Sequence, residues 1–162
     1  MSLANTVTST VLYDDANRCK VLVTGWFLGG ANTSNVTIVK ANTLFGANAS
    51  LPCILDVLCV KGVSSYNVTP GSTTLNFQFA SKVNTNVDFM IVGGAGGQVQ
   101  MDGLIPNFAN TPSGDINLWI DGLASGDSFS MIIDLAKNNL GVTSNGIPNY
   151  GAGAWANGFI NT

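Results

Sequence analysis

At 162 residues the chain is most simply one domain, long enough to bury a core without disulfide staples. Charged residues make up 9% of it, and every acidic residue is Asp; Glu and His are absent. Six scattered Lys/Arg and a net charge of −3 offer no basic stripe for phosphates, which argues against a nucleic-acid partner. A chain without His excludes a Ser–His or Cys–His nucleophile and lacks the commonest metal ligand.

Solubility therefore falls to Asn, Ser, Thr and Gly, residues that suit strands and turns and fill exposed helix faces poorly. The opening MSLANTVTST has neither the basic residues nor the apolar core of a signal peptide. No apolar run approaches the roughly 18–20 residues of a membrane span, so a soluble protein with no membrane partner is expected.

In chain order, Thr6–Tyr13 reads as a Thr- and Val-rich strand, followed by the polar turn Asp14–Arg18. Cys19–Phe27 follows as a second strand, with Cys19, Val21, Val23 and Phe27 on one face. After a loop, Val36–Lys40 is a short strand and Ala41–Ser50 a polar connection. Leu51–Val60 is apolar on both faces except at Asp56, the pattern of a central strand covered on both sides. A lone carboxylate there is best explained as an acceptor for a loop's backbone N–H groups.

Ser65–Val68 and Thr73–Ala80 flank a Pro-Gly turn, and Leu75, Phe77 and Phe79 give the cleanest alternation in the chain. Val87–Val92 is a further strand, ending at the glycine cluster Gly93–Gly97. No Gly-Lys-Ser/Thr follows that cluster, so it is expected to be a hairpin tip or bulge and not a phosphate loop. Asp102–Ser113, with Pro106 and Pro112, reads as a loop.

The stretch Gly114–Lys137 is expected to be a hairpin. Ile116, Leu118 and Ile120 alternate with polar residues in its first half, and Phe129, Met131, Ile133 and Leu135 do so in its second. After Lys137 the character changes: Asn138–Thr162 holds no charge and is dense in Gly and Asn, with Tyr150, Trp155 and Phe159 spaced along it. This segment is read as an arm that docks on a neighbouring subunit or on its own domain.

The expected fold is all-β: an antiparallel β-sandwich or jelly-roll-like barrel over residues 1–137, with a Gly/Asn-rich arm over 138–162.

No constellation proposes a reaction, and no catalytic, cofactor-binding or metal-ligating residue is assigned. Asp115, Asp121 and Asp127, like Asp14-Asp15, fit ordinary turns, and the Asp121–Asp127 loop lacks the ligand spacing of an EF-hand. Cys53 and Cys59, six apart on one face of an extended run, would be about 20 Å from each other, too far for a disulfide. With Cys19 they are expected to be free and buried. Asn-x-Ser/Thr triplets at Asn32, Asn35, Asn48 and Asn67 are what chance gives in a chain this rich in those residues.

Two stretches resemble a family of small virion proteins of tailed bacteriophages. One is the opening MSLANTVTSTVLYDDANRCKV; the other is SGDINLWIDGLASGDSFSMIIDLAK, Ser113–Lys137, similar to that family's closing Gly-Asp-Ile strand, loop and Gly-Asp strand ending in a basic residue. They cover under a third of the chain, in the right order.

The resemblance implies a non-enzymatic decoration or cement protein on the outer capsid surface, assembled in the host cytoplasm. Its partners would be the major capsid protein and its own copies, as a trimer. Leu3, Val7, Tyr150, Trp155 and Phe159 are then the expected assembly contacts. The alternative is a tail, fibre or adsorption component that meets host glycans through Trp26, Trp119 or Trp155; an Asp-dependent glycosidase comes third.

Overall fold

The computed structural model describes residues 6–26, 34–45, 53–65, 74–83, 85–93, 96–109, 112–121, 126–138, 140–142 and 148–150. Eleven strands run through them: β1 (Thr6–Asp14), β2 (Arg18–Trp26), β3 (Ser34–Val39), β4 (Ile54–Ser65), β5 (Thr74–Ser81) and β6 (Val87–Gly93), then β7 (Gly96–Ile105), β8 (Pro112–Asp121), β9 (Ser128–Asn138), β10 (Leu140–Val142) and β11 (Pro148–Tyr150). The one helical piece among the described residues is a single 3-10 turn, Ala41–Thr43.

The strands form a five-stranded sheet in the order β1-β2-β9-β4-β7 and a four-stranded sheet in the order β3-β8-β5-β6. Every neighbouring pair in both sheets is antiparallel. The described edge strands β1, β7, β3 and β6 each pair on one side only, so the sheets do not close into a barrel.

The expected alternation is what buries the inner faces. Val21, Val23, Met131, Ile133 and Leu135 from one sheet and Leu75, Phe77, Phe79, Ile116, Leu118 and Ile120 from the other share one core. At about 1.5–3 kcal/mol per large apolar side chain taken from water, this shared layer is the main force holding the sheets face to face. The Ser9 hydroxyl donates to the Ile38 carbonyl, which ties β1 to the edge of the opposite sheet.

The expected hairpin over Gly114–Lys137 does not form. Strand β8 pairs with β3 and β5, whereas β9 pairs with β2 and β4, so the chain changes sheet between them. Gly114, the third residue of β8, has φ +93°, and a Cβ there would stand 2.1 Å from the Cys53 carbonyl oxygen.

The glycine cluster is a second such change: β6 belongs to the four-stranded sheet and β7 to the five-stranded one, so the cluster is not a hairpin tip. Strand β7 also runs on to Ile105, into residues expected to be loop. Hairpins between consecutive strands do occur at β1–β2, β5–β6 and β10–β11.

Strand β4 is central, as expected, with β9 on one side and β7 on the other. A bulge at Val57/Cys59 interrupts its pairing with both neighbours. The extra residue flips the alternation, so Val57 and Val60 both point into the core while Cys59 points out between Asp134 and Asp102. Cys59 therefore does not share a face with buried Cys53, and it is only half-buried. All three cysteines are free.

Candidate functional site

Two surfaces carry the chemistry of this fold: the turn end of β1 with its open edge, and the outer face of the four-stranded sheet.

The first is organised by Lys137. This lysine is fully buried at the end of β9, which the turn between β1 and β2 crosses. Its ammonium donates to the Asp14 carboxylate, to the Asp15 carbonyl at 2.5 Å and to the Phe45 carbonyl at 2.9 Å. Three N–H donors thus meet three acceptors, the condition under which a buried ammonium is tolerated. The Phe45 ring lies 5.9 Å from the same nitrogen. The second Asp14 oxygen accepts from the Phe45 amide at 2.8 Å, so one ion pair pins β1, β9 and the segment after the 3-10 turn.

Asp15 shapes the adjoining turn by accepting from the Asn17 and Arg18 amides, both at 2.7 Å, and from the Tyr13 hydroxyl. The Tyr13 hydrogen bond, followed by the two amides, holds the Asp15 carboxyl below the usual carboxylate range. The same bond raises the Tyr13 hydroxyl.

Around this staple, apolar surface is left in water. Val11, Leu12 and Tyr13 are about half exposed, as 51%, 49% and 52%, and Phe45 beside them is 64% exposed. They lie on or next to a strand that, among the described residues, pairs only with β2 and so forms an edge of its sheet.

Of the expected assembly contacts, Val7 sits in β1 opposite Gly25, half-buried against the protein's own core. Tyr150 lies in β11 opposite Leu140, in a two-stranded pair that the sequence reading did not foresee; its side chain falls outside the described residues. Leu3, Trp155 and Phe159 fall outside them entirely.

The second surface is built from the outward positions of β3, β8, β5 and β6. Trp119 stands opposite Asn35 on one side and Asn76 on the other, and Asn117 stands between Thr37 and Gln78. Asp88 of β6 accepts from the Asn76 side-chain amide at 3.1 Å and the Gln78 amide at 2.7 Å. Asn35, Asn76, Gln78, Thr85, Asn86 and Trp119 line a hollow of about 280 Å³. The sequence marks Trp119, but the amides around it come from strands far apart in the chain, and only the sheet order assembles them.

Two further carboxylates hold backbone amides. Buried Asp56 accepts from the Asn107 amide at 2.7 Å, the backbone-acceptor role expected for it, and anchors the segment after β7. Asp115 accepts from the Ala41 amide at 2.8 Å. Among the described residues no three His, Cys, Asp or Glu side chains group as a metal site. Burial, then the nearby Asp14 charge, pushes the Cys19 thiol up to about 11, and burial raises Cys53 as well. Cys59, raised by burial and by its bond to Asp102, donates to that carboxylate at 3.2 Å. None of the three is poised as a nucleophile.

No family model, no curated protein and no solved structure matches the chain.

Proposed function

We propose that this chain is a non-enzymatic bacteriophage virion protein that decorates the outer capsid shell and clamps neighbouring coat subunits, acting as a trimer. The observation that carries the reading is the strand order. Counted from β2, the sheets run β2-β9-β4-β7 and β3-β8-β5-β6, the order produced by two interlocked Greek keys in a jelly roll. That architecture recurs in viral capsid domains, although lectins and cupins share it. Strand β1 is then an addition that extends one sheet beyond the eight.

Other features support the same reading. The resemblance at the two ends of the body is to phage virion proteins. A chain with 9% charged residues suits a surface covered by neighbours. The open β1 edge, flanked by Val11, Leu12, Tyr13 and Phe45, suits strand addition by a coat subunit or a sister copy.

The experiment is a cryo-EM reconstruction of the particle whose genome encodes this chain. Density on the outer shell, with β1 against coat protein or a sister copy, is the expected result. Density confined to tail or fibres, or none at all, overturns the proposal.

A further inference from the structure

The outer face of the four-stranded sheet has chemistry that the clamp does not use. Strands β3, β5, β6 and β8 contain no Lys or Arg, so nothing on them attracts a phosphate, a sulfate or a carboxylate. Outward they present amide groups around one half-buried indole, with the Asp88 carboxylate among them and exposed Ile91 opposite Asn76.

The amides are held in place. Asp88 takes one hydrogen from Asn76 and one from Gln78, which fixes the orientation of both side chains. The Asn86 amide reaches the Gln78 oxygen at 3.5 Å, while its own oxygen accepts from the Ser81 backbone amide at 3.2 Å. Asn76 Oδ1 and Asn117 Oδ1 are enclosed beneath this layer and, among the described residues, meet no donor.

We infer that this hollow binds an uncharged saccharide. A pyranose ring has two kinds of surface, a C–H face and a rim of hydroxyl groups that both donate and accept. Trp119 offers the flat apolar platform for the first. Asn35 offers a donor and an acceptor for the second, and the amide hydrogens of Asn76, Gln78 and Asn86 that are not already engaged add further donors. At about 280 Å³ the hollow is near the lower end of small-ligand sites, fitting a terminal sugar residue and not a long enclosed chain. Asp88 and the absence of cations from these strands select against sialylated, sulfated or phosphorylated glycans. The inference stands apart from the shell reading, since a capsid-bound protein and a fibre can each carry such a site.

The test uses the whole chain on an array of neutral and acidic glycans, followed by calorimetric titration with the best neutral oligosaccharide and with its free monosaccharide. Saturable binding to neutral glycans is expected, with Trp119→Ala weakening it by at least about tenfold. Asn35→Ala, at an exposed position on an edge strand, should weaken it severalfold without disturbing the fold, and Trp26→Ala should leave it unchanged. Response to the free monosaccharide would assign recognition to one terminal residue; response to the oligosaccharide alone would extend the site along the sheet, with the same residues required. Wild-type protein that binds no neutral glycan up to about 10 mM, binds only acidic ones, or binds equally well after both Trp119→Ala and Asn35→Ala overturns the inference.

Discussion

The two sheets bury the same kind of face and expose opposite ones. Outside the five-stranded sheet lie the ion pairs Arg18–Asp134 at 2.9 Å, Lys20–Asp134 at 3.9 Å and Lys61–Asp102 at 3.6 Å, and its end carries the Lys137–Asp14 staple. Outside the four-stranded sheet stand Asn35, Thr37, Asn76, Gln78, Asn117 and Trp119, with Asp88 bonded to two of the amides. Inward alternation is set by the shared core and is alike in both; outward chemistry is free to differ. The contrast separates what holds the molecule together from what it can recognise.

The comparison breaks first at its common term. Phe77, fully buried in β5, and Ile133, fully buried in β9, serve one core from opposite sheets. Phe77→Ala should cost about 3–5 kcal/mol and Ile133→Ala about 2–5 kcal/mol by urea unfolding, each in a single transition. Separate transitions for the two sheets would refute the shared layer.

Next, the charges on the five-stranded sheet should prove unequal. Asp14→Ala leaves the buried Lys137 ammonium with carbonyls alone and should cost about 3 kcal/mol. Lys61→Ala removes a pair in which both side chains are more than half exposed, and the same measurement should move by no more than about 0.5 kcal/mol.

Cysteine chemistry gives a smaller effect with a defined sign. The Cys19 thiol is raised from an ordinary 9.0 to about 11, so its contribution is fully present below pH 9. It is lost as pH climbs from there towards 11, because the unfolded chain ionises first. Stability should decline across that window, and Cys19→Val should flatten the decline. Iodoacetamide should reach half-buried Cys59 in the native protein before Cys19 or Cys53; equal rates would contradict the burial described.

The smallest effect belongs to the turn. By carbon-13 NMR the Asp15 carboxyl should titrate below the usual carboxylate range and move back upward in Tyr13→Phe. Asp15 favours the fold above its unfolded titration range, so this contribution is lost on acidification through its lowered folded value. An unchanged titration in Tyr13→Phe would remove the tyrosine from the account.

The sequence displays which residues face inward far better than which strands are neighbours. Ile116, Leu118 and Ile120, and Phe129, Met131 and Ile133, are buried as their alternation demands. Yet alternation carries no information about the partner, and a Gly/Ser connection looks the same whether it turns a hairpin or carries the chain between sheets. That is why β8–β9 and β6–β7 look like local connections in the sequence. The bulge in β4 was hidden for a related reason: LPCILDVLCV is apolar at nearly every position, so no polar residue marks where the phase slips. Asp56 was legible because a single carboxylate in such a run has to find donors. At the amide face only Trp119 stood out, since Asn76 and Gln78 resemble any other outward residues until β3, β8 and β5 are placed side by side.

The position of β9 bears on how the molecule comes into being. It fills the slot between β2 and β4, so both of those strands keep an unsatisfied edge until the chain has been synthesised through residue 138. No stable five-stranded sheet can assemble on the ribosome from the first hundred residues alone, and closure joins segments more than a hundred positions apart, such as Arg18 and Ala136. The last strand of the body acts as a latch, and a nascent chain stalled before it presents two sticky strands to whatever is nearby.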